Sequence, residues 1–302
     1  MKTFLMVALG VSLAGCFRNE DHISFNSPEA AYAALVEAIE QDDATRLKDL
    51  LGFNPEDLLS SGDAVHDKHD RARFVTAYRK SHELVAADND TNTLVIGAEQ
   101  WPFAIPVSKR NGRWYLDGEK GVDELVYRRI GANELGAIKV CRGFVEAQME
   151  YAAEGRDGDS AGIYALKLIS DEGMQNGLYW PTSEGAASSP AGPGVAAAAA
   201  EGYRRGTRLP YHGYYYRMLY RQGEHATGGA REYFKDGLLT QGFALVAWPA
   251  AYHVSGAMSF IVSQDGVVFQ KDLGKDTESV VAAISAYDPD SSWAQVEETS
   301  GS

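Results

Sequence analysis

Between residues 122 and 153 the apolar side chains Leu135, Ile138, Cys141, Val145, Met149 and Ala152 recur at helical intervals. This period draws one apolar stripe along a long helix that pauses near Gly131, with Glu134, Arg128 and Arg129 on its wet side. Such a stripe has to be covered by another apolar layer. The later sequence supplies one, with alternating, β-branched or aromatic strands over 211–220, 242–248, 257–263 and 267–271. Asp265-Gly266 makes the last hairpin turn, and Asp276 is placed to cap a closing helix with Val280, Val281 and Ile284. The stretch 185–202 is rich in Ala, Gly, Ser and Pro and reads as a loop leading into a short Ala-rich helical piece.

The residues before this layer form a second unit. Ser27 and Pro28 give an N-cap and first-turn proline to a helix whose Tyr32, Leu35, Val36 and Ile39 face a core. A helix over 44–51 ends at Gly52, and a third spans 70–82 and buries Phe74, Val75 and Tyr78. The period then changes to two. Residues 93–98 read as a strand, Phe103, Ile105 and Val107 alternate, and Asn111-Gly112 turns the chain into a strand carrying Trp114 and Leu116. The whole is an α+β chain divided at 27–120 and 121–302.

Ahead of both units stand Lys2, an apolar run over 4–13 and Leu13-Ala14-Gly15-Cys16. The run is shorter than the roughly 20 apolar residues a spanning helix needs, so residues 1–15 read as an export signal. The four residues ending at Cys16 resemble the lipobox of bacterial lipoproteins. That resemblance implies cleavage before Cys16, palmitate-type acylation there, and 16–26 as a lipidated tether in the envelope. Phe17, which is not Asp, implies an outer-membrane address facing the periplasm. Several acyl chains anchor stably, since each buried CH₂ adds about 0.8 kcal/mol. With Cys16 lipidated, Cys141 has no disulfide partner and reads as a small buried hydrophobe. The formal charge of -14 repels phosphate backbones, so no nucleic-acid partner is expected.

Three helices followed by a curled antiparallel sheet resemble the nuclear-transport-factor-2-like (NTF2-like) fold. The helix ANELGAIKVCRGFVEAQMEYA with the strands PYHGYYYRM, GFALVAWPA and GAMSFIVSQDGVVFQKD resembles the soluble head of type IV pilins and type II secretion pseudopilins. Pilins place an apolar half-helix before that head. Here the chain reads GVDELVYRRIGAN, and Asp123, Glu124, Arg128 and Arg129 could not line a filament axis. RRIGANELGAIKVCRGFVEAQ, GLYWPTSEG, PYHGYYYRML and QGFALVAWPA together resemble the bacterial family catalogued as domain of unknown function 2950, which implies kinship without an activity.

The sequence offers little chemistry. His66 and His69 lie one helical turn apart beside Asp63, Asp67 and Asp70, a spacing open to zinc, but a solvated helix start is the favoured reading. Asp157 and Asp159 sit two apart as in a calcium loop, although Ala161 and Leu168 stand where an EF-hand needs oxygen ligands. No metal and no cofactor are therefore expected. No nucleophile elbow, phosphate loop or zinc-protease motif is present, and no catalytic residue is assigned. Tyr214, Tyr216, Met218 and Tyr220 share one strand face and belong under the long helix, leaving Tyr215 and Arg217 on a wetter face suited to an interface. Two functions remain open. One is a non-enzymatic, lipid-anchored binding or scaffolding protein that contacts an unidentified envelope protein. The other is an enzyme or small-ligand binder using a conical pocket walled by Tyr78, Trp101, Phe103 and Trp114, with Asp117 or His82 as acid or base.

Overall fold

Ser27 caps the first helix: its side chain accepts the Ala30 N–H at 3.2 Å, and α1 runs Pro28–Glu40. The computed structural model describes residues 23–52, 56–156, 158–181, 188–192 and 209–297. Helix α2 (Ala44–Leu51) is capped by Asp43 and stopped by Gly52 in the left-handed region at φ 74°. After α3 (Glu56–Leu59) comes α4 (Ala64–Lys80), which begins six residues earlier than position 70 because the Asp63 carboxylate accepts the His66 N–H at 3.0 Å. Residues 64–69 carry no apolar stripe, so the cap alone marks that start. The helix also ends before His82, which opens a strand instead.

That strand, β1 (His82–Ala86), pairs with β2 (Thr91–Ile96), and β3 (Trp101–Pro102) adds to the same β2. The hairpin of β4 (Val107–Arg110) and β5 (Arg113–Leu116) closes at Asn111-Gly112, both at positive φ, and the sheet order is β1-β2-β4-β5. Tyr32, Leu35, Leu50, Leu94, Ile105, Val107 and Leu116 form the core between helices and sheet. In its middle the Tyr32 hydroxyl donates to the Ile105 carbonyl at 2.9 Å and accepts the Leu94 N–H at 3.2 Å.

Helix α5 runs unbroken through Gly118–Ala153, 36 residues, so Gly131 makes no interruption. A lone glycine costs about 1 kcal/mol in a helix, which packing at both ends of α5 outweighs. Leu125 at its start belongs to the first core, whereas its second half covers the other lobe. The buried stripe there is Ala137, Ile138, Cys141, Phe144, Ala147, Gln148 and Tyr151, while Leu135 and Met149 are 57% and 43% exposed. The stripe is thus rotated from the expected one, and buried Gln148 is satisfied by the Ala165 N–H and carbonyl at 2.9 and 3.1 Å. Cys141 is fully buried, and burial pushes its thiol up to about 12, as befits a packing residue.

Between α5 and the second lobe's main sheet, β6 (Lys167–Ile169) and β7 (Gly177–Tyr179) make a parallel pair. Residues 182–187 and 193–208, where most of the expected loop and Ala-rich piece fall, lie outside the described residues. The second lobe is built on β8 (Tyr214–Leu219), and three short strand pieces follow it: β9 (Arg221–Gln222), β10 (Arg231–Glu232) and β11 (Phe234–Lys235). Then come β12 (Leu238–Leu239), β13 (Ala244–Pro249), β14 (Met258–Ser263) and β15 (Val268–Asp272). Helix α6 (Thr277–Ala283) and β16 (Ala294–Gln295) close the chain. The main sheet is antiparallel in the order β16-β15-β14-β13-β8, and every residue of β13 is buried. Asp276 stands at the N-cap of α6, but its side chain makes no capping bond, and Val280 is 39% exposed. β8 starts at Tyr214 because His212 and Gly213 take φ 51° and 75° and turn the chain.

The two lobes meet through polar ties. Arg129 Nε donates to the Val254 carbonyl at 2.9 Å and its Nη1 to the Leu58 carbonyl at 3.1 Å. Asn133 Nδ2 donates to the Ser255 carbonyl at 2.9 Å, and Glu134 accepts the Ala257 and Met258 N–H groups at 3.0 Å each. Arg129 and Glu134 therefore bind backbone groups of neighbouring segments rather than forming a wet face. The architecture is mixed α+β with predominantly antiparallel sheets, and among the described residues no helix is long and apolar enough to cross a membrane.

Candidate functional site: a groove beside the edge strand

Among the described residues β8 stands at the end of its sheet order and pairs with β13, from Tyr214↔Pro249 to Leu219↔Ala244. On the other side Tyr214 exchanges backbone bonds with Tyr211, at 3.2 and 2.8 Å. Antiparallel alternation turns the backbone groups of Tyr216 and Met218 to that same outer side. Opposite stands β6. The Ser170 N–H donates to the Tyr179 carbonyl at 2.8 Å, so alternation directs the backbone of Lys167 and Ile169 away from β7. Between β6 and β8 lies a cavity of about 680 Å³.

Its walls are chiefly apolar: Leu166, Leu168, Ile169, Tyr216, Met218 and Tyr220. Leu166, Ile169 and Tyr220 are 38, 43 and 37% exposed, a cluster of large apolar residues that belongs to neither core among the described residues. The Tyr220 hydroxyl donates to the Leu166 carbonyl at 2.9 Å and ties the two walls at one end. Burial raises the pKa of that phenol, with Lys167 acting in the opposite sense, so it stays a donor at neutral pH. Lys167, Arg217 and Arg221 face Glu232 as the charged members of the lining. Lys167 pairs with Asp171, and Arg221 bonds Ser285. Arg217 donates to the Val281 and Ile284 carbonyls of α6 at 2.7 and 2.9 Å. None of these groups is set up as a nucleophile, base or metal cage. The arrangement offers shape, apolar surface and backbone polarity.

Of the residues expected to wall a cone, Tyr78, Phe103 and Trp114 are partly buried against the first core, and Trp101 is exposed. Phe103 meets Phe74 at 4.9 Å and Tyr32 at 6.4 Å between ring centroids, inside the first core. Tyr78 stacks on His82 at 4.0 Å, and Trp114 exchanges backbone bonds with Phe25 at 2.8 and 3.0 Å. Trp101 is 55% exposed, with the Arg128 guanidinium 5.4 Å from its ring. Asp117 is locked as an anion. Burial alone would raise its pKa, but bonds from Lys120 and Ser108 and the charges of Lys120 and Arg110 outweigh it and hold the carboxyl below its usual range. It is no proton donor.

His66 is corrected from a solvated helix start to a buried junction residue. It is 8% exposed, Asp63 and Asp67 are 2 and 8%, its Nε2 lies 3.3 Å from Asp70, and its ring lies 5.0 Å from that of His212. His69 is exposed and apart from them. Asp159 sits in an exposed turn, donating its N–H to the Arg156 carbonyl at 2.8 Å. Asp157 and Cys16 lie outside the described residues. Among those described, no three His, Cys, Asp or Glu side chains are grouped to hold a metal. Tyr215 is half-buried against Trp248 at 5.6 Å, and Arg217 is engaged by α6, so neither projects freely into solvent.

Sequence reasoning put Tyr216, Met218 and Tyr220 on one strand face but set that face under the long helix, whereas these residues line the groove and α5 lies over β13, β14 and β15; it also missed the wall facing them. The short alternation Leu166-Lys167-Leu168 is the signal that marks β6. No curated protein and no solved structure matches the chain. A family model described as protein of unknown function (DUF2950) matches residues 22–296, which span both lobes and the groove. The chain belongs to the DUF2950 family.

Proposed function

We propose that this protein is a non-enzymatic component of the bacterial envelope, lipid-anchored at Cys16 and facing the periplasm from the outer membrane, that works by holding another protein. The observation that carries this reading is the apolar groove beside β8, whose exposed Leu166, Ile169 and Tyr220 belong to neither core among the described residues. Residues 16–26 supply the anchor and tether. The NTF2-like reading is supported by α1, α2 and α4 lying against the β1-β2-β4-β5 sheet, and the pilin-head reading by α5 lying across β13, β14 and β15. The charged start of α5, with Asp123, Glu124, Arg128 and Arg129, argues for a pilin-like head that does not polymerise. The rival reading, a ligand or substrate in the first lobe, lacks support because Phe103, Phe74 and Tyr32 pack on one another there.

The test is site-specific photo-crosslinking in intact cells, with the probe at Ile169 in the groove and, as control, at exposed Met149 on α5. A discrete protein adduct at 169, absent at 149 and lost with Leu166→Asp, is the expected result. Equal labelling at both positions, or none at 169, would overturn the reading.

A further inference from the structure

We infer that the first lobe's sheet continues into a second copy of this chain, with β1 pairing antiparallel to the β1 of that copy about a two-fold axis at Val85. This contact is separate from the groove beside β8. β1 stands at one end of its sheet order, and the other end is covered: Phe25 and Trp114 of β5 exchange backbone bonds at 2.8 and 3.0 Å. Among the described residues no segment covers β1 in that way, and every residue of the strand but Leu84 is exposed. The ladder fixes which backbone groups point outward. The Gly97 N–H donates to the Ser81 carbonyl at 2.8 Å and the Ala87 N–H to the Thr91 carbonyl at 2.9 Å, so Glu83↔Val95 and Val85↔Thr93 are the pairs that bond β2. The N–H and C=O groups of Leu84 and Ala86 therefore face away from the sheet, without a partner among the described residues. An uncovered edge of this kind, with no proline in it, is a site of pairing with another chain.

The side chains set the register. Leu84 packs toward the first core, whereas Val85 points to the other face and is 47% exposed. An axis at Val85 lays the two Val85 side chains against each other and pairs Leu84 with Ala86 of the second copy through backbone bonds. It also carries Lys80, at the start of the strand, toward Asp88 and Asp90 of the second copy, beyond its end. All three residues are exposed, and among the described residues no ion pair occupies Lys80 or Asp90. An axis at Glu83 would oppose two carboxylates, and one at Leu84 would set Glu83 against Val85. Because each copy supplies both a basic and an acidic end, the edge complements itself when turned antiparallel. The two-fold pairing uses both β1 edges and closes, so no fibre grows from it.

The full-length chain carrying Val85→Cys, in detergent and under mild oxidation, is to be compared on a non-reducing gel with Asn89→Cys and with wild type, whose Cys141 is buried. Directly opposed residues of a non-hydrogen-bonded pair lie within disulfide reach, so Val85→Cys should give about ten-fold more covalent dimer than Asn89→Cys. Ala86→Pro removes an outward donor and leaves the ladder to β2 intact. It should weaken dimerisation about ten-fold in analytical ultracentrifugation at an unchanged melting temperature. Should that variant lose its cooperative melt, Lys80→Glu decides, with a weakening of about ten-fold over the two symmetric contacts that adding Asp90→Lys reverses. A chain that stays monomeric, with no covalent dimer at position 85, overturns the inference. So does equal crosslinking at position 89, or a folded Ala86→Pro or Lys80→Glu variant that dimerises like wild type. A dimer lost with Leu166→Asp and indifferent to Ala86→Pro would belong to the groove and overturn it as well.

Discussion

The carboxylate of Asp63 holds two parts of the molecule at once: one oxygen caps α4 by accepting the His66 N–H at 3.0 Å, and the other accepts the Gly213 N–H of the second lobe at 3.1 Å. The cap that starts a helix in the first lobe is thereby also a tie to the turn that starts β8. Asp63→Ala removes the cap and leaves a buried donor unpaired, for a loss of about 2 to 4 kcal/mol. Asp63→Asn retains the capping oxygen and should lose less. Urea unfolding of both variants checks this, and a loss from Asp63→Ala no greater than that of an ordinary exposed cap would show that the Gly213 bond contributes nothing.

Gly213 itself has no room for a side chain. Its φ is 75°, and an added Cβ would sit 2.5 Å from Asn133 Nδ2 and 3.1 Å from Ser255 Cβ. Gly213→Ala should therefore destabilise by about 1 to 3 kcal/mol through strain and overpacking. In an Asn133→Ala background the same substitution should cost less, because the closest obstruction has gone while the φ strain persists. A double-mutant cycle by thermal unfolding measures that coupling, and strictly additive effects would count against the contact.

His225 and Asp288 make a pH-dependent surface pair. The hydrogen bond and charge of Asp288 raise the His225 pKa above its usual 6.5. A raised folded-state value means that the pair's contribution to stability is fully present below the unfolded pKa and is lost as pH rises through the folded one. The difference in melting temperature between wild type and Asp288→Asn should shrink as pH rises from 5 to about 8. An unchanging difference over that range would indicate that the imidazolium gains nothing from Asp288.

Cys16→Ala should shift the protein out of the membrane fraction and abolish labelling by radioactive palmitate, since the anchor then has no acyl acceptor. Globomycin should cause an unprocessed form of the wild type to accumulate. Unchanged fractionation and labelling in the variant would remove Cys16 as the attachment point.

Local rules carried far along this chain. Ser27 before Pro28, Gly52 after the second helix and Asn111-Gly112 between two strands each act through their own backbone preferences, and the elements stand where those residues put them. The burial of Cys141 and the strands β13, β14 and β15 were equally legible, because a run of apolar residues has few other places to go. Less legible were features that depend on residues far apart. His82 leaves the helix period for a strand because β2 offers a partner, and the α5 stripe is rotated onto Phe144 and Tyr151 by the surface it has to cover.

By itself, then, the sequence determined the α+β class, the turns and most of the strands. Each of these follows from intrinsic backbone conformation or from apolar period within a few neighbouring residues. Only the tertiary structure decided that Asp63, Asp67 and His66 are buried at a junction, that Arg129 and Glu134 bind distant backbone groups, and that Phe103 packs against a core. It alone set Leu166 and Ile169 opposite Met218 to form the groove. A side chain's polarity states what its burial would cost, whereas the partner that offsets the cost comes from a distant segment. An edge strand likewise becomes an edge only when the sheet order is complete.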